Sequence, residues 1–205
     1  MRTEDLASDK PMNIRPAGES DAEVLSDLVM HATGFEPIAA SGTKVLVLGT
    51  LPGQESLRRG EYYAHPRNSF WRIVDILFGI SAESPYSDRV RKLGDAGVAL
   101  WDVCAAANRP GSLDLSIRHD SVVPNDFTAF LKAHPQLKLI GFNGAKAAAL
   151  FRKHVILDIE IRCVDLPSTS PAHAAMSLPD KVERWSVIRD ECGLQQVAHK
   201  RGHLE

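Results

Sequence analysis

Four short, mostly apolar segments constrain the fold of this chain most strongly. They are rich in valine, isoleucine and leucine, and a loop of unusual composition follows each of them. Apolar runs of this length predict strands that are covered on both faces, as in a parallel sheet. The four predicted strands are Lys44–Thr50, Val98–Cys104, Lys138–Phe142 and Ile159–Val164.

Helix patterns lie between the predicted strands and before the first of them. Asn125 is a suitable N-cap for one of these helices. Alternating strands and helices predict right-handed βαβ units and a sheet between two helix layers. We therefore expect an α/β fold, a three-layer α/β/α sandwich with a central, mainly parallel four-stranded sheet. The predicted helices are Asp21–Met30, Ser69–Phe78, Asp126–Ala133, Ala145–His154 and Asp180–Cys192.

The composition is that of one ordinary globular domain, because 44% of the 205 residues are hydrophobic and 24% are charged. We expect an N-terminal extension over residues 1–33, made of a tail and a helix, and a single domain over residues 34–205.

No apolar run approaches the roughly 20 residues that cross a bilayer, and no secretion signal is recognisable. Three widely spaced cysteines argue against a metal cluster or a disulfide framework. We expect a cytoplasmic protein without membrane contact.

The unusual loops all leave the carboxyl end of a predicted strand. They read GTLPGQES, CAAANRPGSLD, FNGAK and DLPSTSPAHAAMS in chain order. In parallel α/β sheets, ligands bind beyond the carboxyl ends of the strands. The sequence therefore predicts one functional site, on a single rim of the sheet.

Residues 49–71 join a glycine-proline-glycine turn to a basic, aromatic segment. Four arginines and one glutamate lie between residues 58 and 72, although the net charge of the whole chain is −2. Each feature alone also has an ordinary explanation: a strand-exit turn, solvated arginines, or core aromatics. Asn68 and Asn143 could likewise cap the helices that follow them. Charge and composition therefore leave nucleic-acid binding open.

Six motifs in a fixed order resemble one known family. They are VLVLGTLPGQESL, YYAHPRNSFW, LWDVCAAANRPGSLDLSIR, PNDF, FNGAKA and LPSTSPAHAAMS, and the likeness covers about residues 34–188. The chain resembles the uracil-DNA glycosylase superfamily, and within it the hypoxanthine-DNA glycosylase branch. The resemblance implies a three-layer α/β/α fold that hydrolyses the N-glycosidic bond of a deaminated base, most readily hypoxanthine, in double-stranded or single-stranded DNA. It implies neither a metal nor a cofactor, and we expect a monomer.

The resemblance also assigns base-binding residues. Tyr63 should stack on the flipped base, and Asn143 should read the base edge, since an amide offers a donor and an acceptor. The turn before the basic segment should bring backbone N–H groups to the deoxyribose or the leaving base. The predicted base-binding residues are Tyr63, Gly49, Thr50, Leu51, Gly53 and His65.

DNA contacts are expected from two loops. Arginines can bind phosphates, hydroxyl side chains can do the same, and the Ala172–Ala174 segment should enter the minor groove. The predicted DNA-binding residues are Arg58, Arg59, Arg67, Ser168, Thr169, Ser170 and His173.

Two positions depart from the pattern of the family. Many members carry Asp or Asn in the first motif where this chain has Leu51, and several carry His where it has Leu166. Neither leucine can activate water. By the resemblance, Asn68 is the best replacement, and we predict Asn68 and Asn143 as the catalytic residues.

Three other functions stay open at this point. The chain could be a uracil or mismatch-specific DNA glycosylase, or a DNA-lesion binder without activity, which the two leucines favour. It could also be a hydrolase of free nucleosides or nucleotides. Neither G-x-x-x-x-G-K-[ST] nor G-x-G-x-x-G occurs, which argues against the usual phosphate-loop functions.

Overall fold

A computed structural model describes residues 31–109 and 116–194 of the chain. In chain order its strands are β1 (His31–Thr33), β2 (Val45–Gly49), β3 (Val98–Asp102), β4 (Cys104–Asn108), β5 (Val123–Pro124), β6 (Leu139–Asn143) and β7 (Arg162–Leu166). Its α-helices are α1 (Gln54–Arg59), α2 (Phe70–Phe78), α3 (Tyr86–Asp95), α4 (Phe127–Ala133), α5 (Ala145–His154) and α6 (Leu178–Glu191), and a short 3₁₀ helix spans His119–Ser121.

The central sheet is parallel and has the order β3-β2-β6-β7. The strand β2 lies inside it and pairs with β3 on one side and β6 on the other. All five residues of β2 are buried, as are those of β3 and β6. Strands covered on both faces explain the apolar runs that predicted them, and the prediction of a four-stranded parallel sheet is confirmed.

Two predicted strand ranges were wrong. The second strand ends at Asp102 and not at Cys104, because Cys104 already begins β4 of another sheet. The fourth strand lies at Arg162–Leu166, and the register with β6 pairs Leu166 with Asn143. Short apolar runs identify a strand better than they identify its ends.

A small antiparallel sheet, of order β1-β4-β5, is absent from the sequence prediction. In it, His31 pairs with Asn108 and Thr33 pairs with Ala106. Residues 31–33, which we assigned to the N-terminal extension, thus pair with a strand of the domain. The helix predicted at Asp21–Met30 lies outside the described residues, and the division at residue 33 stays a prediction.

The core has two halves, one on each face of the central sheet. Val45 and Val47 of β2 face one half, and Leu46 and Leu48 face the other, as the alternation of side chains along a strand requires. Helices α2 and α6 pack on the first face, and α4 and α5 pack on the second. The three-layer α/β/α arrangement is confirmed.

The helix ends explain several differences from the predicted ranges. Asn125 does not cap α4, because its side-chain amide donates to the backbone oxygen of Asp102. Asp126 is the cap and accepts from the N–H of Ala129. Helix α6 begins earlier than predicted because Ser177 caps it. Helices α1 and α3 were not predicted.

Truncation of Phe142 tests how the sheet is held to the second helix layer. Phe142 is fully buried on β6, and its ring lies 5.1 Å from that of Phe151 on α5. We expect Phe142→Ala to lower the free energy of unfolding by about 3–5 kcal/mol, measured by urea denaturation. Ile156→Ala is the control, since Ile156 is 90% exposed and should change stability little. Equal losses for the two variants would contradict the assignment of the core.

Candidate active site

The loop from Gly49 to Gly53 leaves the carboxyl end of β2 with its carbonyl groups engaged. The oxygen of Gly49 accepts from the N–H of Val103 at 3.0 Å, and that of Thr50 accepts from Cys104 at 3.0 Å. The side chain of Leu51 is only 4% exposed and packs in the second core half. Leu51 can therefore offer a ligand only its backbone.

Arg109 completes the support of this loop and was missed by the sequence analysis. Its side chain is buried, and Nη1 donates to the oxygen of Leu51 at 2.9 Å. Its Nη2 donates to the oxygen of Pro52. Arg109 belongs to the motif CAAANRPG, but nothing in the residue pattern indicates that it turns inward.

Gly49 is required by close packing. A Cβ atom at this position would collide with Oδ1 of Asp102 and would lie 3.4 Å from the hydroxyl oxygen of Tyr63. Asp102 is a buried carboxylate at the end of β3, and it was also missed. Burial raises the pKa of the neighbouring Tyr62, and the charge of Asp102 raises it further. The floor of the site thus combines the loop glycine, a carboxylate and the ring of Tyr63.

Tyr63 has an unusual backbone conformation. Its φ of 56° is the only positive value for a non-glycine residue among the described residues. Strain of this kind often occurs at functional sites. One face of its ring stacks on Phe70, with centroids 4.1 Å apart and planes inclined by 25°. The aromatic platform predicted at Tyr63 has a geometry that suits stacking.

Asn68 lies at the start of α2 and has a side-chain capping bond. Its Oδ1 accepts from the N–H of Phe70 at 3.0 Å. This bond fits the alternative that Asn68 caps the helix that follows it, and the catalytic role of Asn68 stays a prediction. Oδ1 keeps one lone pair, and among the described residues no acceptor binds the NH₂ group. Nδ1 of the nearby His65 accepts from the N–H of Arg67, which leaves Nε2 as a donor.

Asn143 forms a buried reciprocal pair with Thr169. Its Nδ2 donates to Oγ1 of Thr169 at 2.9 Å, and its Oδ1 accepts from the N–H of Thr169 at 2.9 Å. Asn143 is therefore not the cap of α5, whose N-cap is Gly144 and has no side-chain hydrogen bond. The amide keeps one N–H and one lone pair for a ligand.

Thr169 also joins the start of α2 to this pair. Its backbone oxygen accepts from both the N–H and the hydroxyl of Ser69, at 3.0 and 3.2 Å. Thr169 is 1% exposed, so its side chain is better placed to hold the Asn143 amide than to make the phosphate contact predicted from the sequence. Ser168 and Ser170 are half-buried and bond within their own loop, whereas His173 is exposed.

The predicted phosphate contacts differ in how their charge is balanced. Glu55 accepts from Arg58 at 2.7 Å and from Arg59 at 2.6 Å. These hydrogen bonds lower the pKa of Glu55 to about 2, and the bond from Arg58 has the largest effect. Arg67 is exposed, and no carboxylate of the described residues forms an ion pair with it. Arg67 is thus the stronger candidate for binding an anion.

The second departure from the family pattern is also explained by packing. Leu166 ends β7 and is 3% exposed in the first core half. Its side chain and that of Ile188 lie close against Gly141. Leu166, like Leu51, faces the core and has no polar group to offer to a substrate.

Within residues 31–109 and 116–194, no three His, Cys, Asp or Glu side chains form a group that could hold a metal ion. In the same ranges, no helix has the length and apolar character needed to cross a membrane.

Comparison with known proteins identifies the family of the chain. A sequence model described as the Uracil DNA glycosylase superfamily matches residues 37–189. The chain belongs to the uracil DNA glycosylase superfamily. A hypoxanthine DNA glycosylase of Methanosarcina acetivorans is 33% identical over 160 residues, which are 78% of this chain and 98% of that protein. A hypoxanthine DNA glycosylase of Methanosarcina barkeri is 38% identical over 119 residues, 58% of this chain and 74% of that protein.

A solved structure has the same fold as this chain. The solution NMR structure of a candidate uracil DNA glycosylase from Methanosarcina acetivorans has a TM-score of 0.67 and 32% identity. It covers 80% of this chain and 99% of its own. The resemblance and the fold inferred from the motifs are thereby confirmed, while the parts assigned to single residues stay predictions.

Two glycines of the first motif should respond differently to the same substitution. We expect Gly49→Ala to destabilise the fold by about 1–3 kcal/mol, because the added methyl group would collide with Asp102. Gly53→Ala should change stability by less than about 0.5 kcal/mol, since no atom lies within 4 Å of the added carbon. Thermal unfolding compares the two. A larger loss at Gly53 would show that the loop is packed differently.

Proposed function

We propose that this protein is a DNA glycosylase that hydrolyses the N-glycosidic bond of deoxyinosine and releases hypoxanthine. The observation that carries the proposal is the rim itself: the strained, stacked Tyr63 lies against Gly49, in a chain that matches two hypoxanthine DNA glycosylases across most of their length. A base must leave the duplex stack before an enzyme can act on it, at a cost of a few kcal/mol. A stacking surface offsets part of that cost.

Recognition of the base is assigned to Tyr63 and Asn143. Phe70 covers one face of Tyr63 and stiffens the ring against which a flipped purine would stack. Thr169 uses one donor and one acceptor of the Asn143 amide and fixes its orientation. The remaining N–H and lone pair match the O6 acceptor and the N1–H donor of hypoxanthine. His65 would add a donor at Nε2.

The chemical step needs stabilisation of two opposite charges. Breaking the bond builds positive charge on the sugar and negative charge on the leaving purine. Asn68 is a weak base, but its amide is held by Phe70 and can orient a water molecule through its remaining groups. The backbone N–H groups of the Gly49–Gly53 loop would meet the negative charge. A purine spreads this charge over two rings, so it needs less help than a pyrimidine.

DNA is held, in this proposal, by groups around the same rim. Arg67 supplies uncompensated positive charge, and Ser168 and Ser170 supply hydroxyl groups. His173 and its flanking alanines would enter the minor groove. Arg58 and Arg59 contribute less, because both share Glu55. We also propose that the protein is a monomer that acts in the cytoplasm. The length suits a single domain, and the three cysteines are widely separated in the sequence.

The substrate is tested by single-turnover excision from duplexes that differ only in the target base. Hypoxanthine, uracil, xanthine and mismatched thymine are compared with excess EDTA present. We expect hypoxanthine to be released fastest, and we expect the chelator to have no effect. Faster release of uracil would favour a uracil glycosylase. Tight binding without release would favour a lesion binder, and rescue by a divalent ion would contradict the cofactor-free mechanism.

Asn143 and Thr169 offer a matched pair of substitutions. Asn143→Ala and Thr169→Ala both remove the bond between Nδ2 and Oγ1, but only the first removes the amide that reads the base. We expect a larger loss of stability for Asn143→Ala, which also removes the acceptor of the Thr169 N–H, and an additional loss of about 1–3 kcal/mol in transition-state binding. Single-turnover rates and urea denaturation give the two quantities. Equal losses of activity would make Asn143 a purely structural residue.

The charge of Arg67 should be visible in the salt dependence of binding. We expect Arg67→Gln to reduce the slope of log affinity against log salt by about 1, because one phosphate contact is lost. Arg59→Gln should change the slope less, since Glu55 already balances Arg59. Fluorescence anisotropy at several salt concentrations measures both. Identical slopes for Arg67→Gln and the unchanged protein would remove Arg67 from the DNA interface.

A further inference from the structure

Arg109 is a buried cation that the mechanism has not yet used. It is 3% exposed and follows β4 directly in the chain. A guanidinium stays charged at any ordinary pH, and burying it is costly unless strong partners receive it. Two of its partners are the backbone oxygens of Leu51 and Pro52, in the loop that borders the predicted site.

Because the peptide unit is planar, these contacts fix the direction in which the N–H groups of the loop point. All described peptide bonds are trans, and in a trans peptide the N–H points opposite to the carbonyl group. The oxygen of Pro52 is turned to Arg109, so the N–H of Gly53 points away from Arg109. The same argument turns the N–H of Leu51 away from Cys104, which binds the oxygen of Thr50. Among the described residues, the N–H groups of Leu51 and Gly53 donate to no acceptor.

The choice of arginine follows from the same contacts. Two successive carbonyl groups need two donors in a fixed planar arrangement, which a guanidinium has and an ammonium lacks. A cation bound at the carbonyl oxygen also polarises the peptide unit and makes its N–H a stronger donor. Such a donor is most useful where a leaving group gains negative charge. The buried side chains of Leu51 and Leu166 supply nothing for that charge.

We propose that Arg109 is a positioning residue for base excision, which fixes and polarises the Leu51–Gly53 backbone so that the N–H of Gly53 stabilises the departing purine. Arg109 does not touch the substrate and acts through the two carbonyl groups that it binds. This inference rests on the proposed function, because it requires a leaving purine.

The test replaces Arg109 and compares two leaving groups. Single-turnover excision is measured with saturating protein on duplexes carrying hypoxanthine or its electron-poor 2-fluoro derivative. We expect Arg109→Gln to slow the release of hypoxanthine by about 10- to 100-fold and that of the fluoro derivative clearly less, with DNA affinity unchanged. Arg109→Lys, which keeps the charge but has a single donor nitrogen, should lie between. Arg189→Gln is the control, since Arg189 is also buried but binds Asp190 on α6.

The outcomes separate this inference from the proposed function. Unchanged excision rates for Arg109→Gln, or equal slowing with both substrates, would overturn the positioning role of Arg109. Because excision depends on the proposed function, the amide resonance of Gly53 is also followed by NMR without DNA. Arg109→Lys should shift it and Arg189→Gln should not; an unchanged Gly53 resonance overturns the inference. Absence of excision by the unchanged protein would instead contradict the proposed function.

Discussion

The pairing of β2 between β3 and β6 is the constraint on which the rest of the structure depends. Both neighbours run parallel to β2, so their carboxyl ends meet at one rim. Val45, Val47, Leu46 and Leu48 alternate between the two core halves and hold a helix layer on each face. The loops beyond Gly49, Asp102 and Asn143 therefore leave the sheet at this rim. The site is built from these loops because the sheet leaves them together.

Hydrogen bonds hold the loops of the site to one another in the part of the chain that the structure describes. Thr169 joins the end of β6, through Asn143, to the start of α2, through Ser69. Arg109 fastens the loop after β2 to the chain that follows β4. Groups held in this way before the substrate arrives lose little freedom when the reaction begins, which is how preorganised donors contribute to catalysis. In the proposed mechanism, such groups take the place of the polar side chains that Leu51 and Leu166 lack.

Sequence reasoning succeeded where periodicity or an ordered set of motifs carries the information. The four parallel strands and the common rim followed from apolar runs, and the family followed from six motifs. It failed where an outcome depends on tertiary contacts. No local pattern shows that Asp102 and Arg109 are buried, or that Thr169 binds Asn143. The small β1-β4-β5 sheet was missed for the same reason, since Cys104 continues an apolar run and a bend at Val103 separates the two sheets.

The central claim is that a flipped hypoxanthine binds at this rim, between Tyr63 and the Gly49–Gly53 loop. A crystal structure with duplex DNA tests it most directly when the target nucleotide is a 2′-fluoro analogue of deoxyinosine, whose electron-withdrawing fluorine prevents cleavage. The account predicts the base outside the duplex, stacked on Tyr63, with the N–H of Gly53 within about 3.2 Å of a base acceptor. A hypoxanthine that stays stacked in the duplex, or binds away from Tyr63, would contradict it.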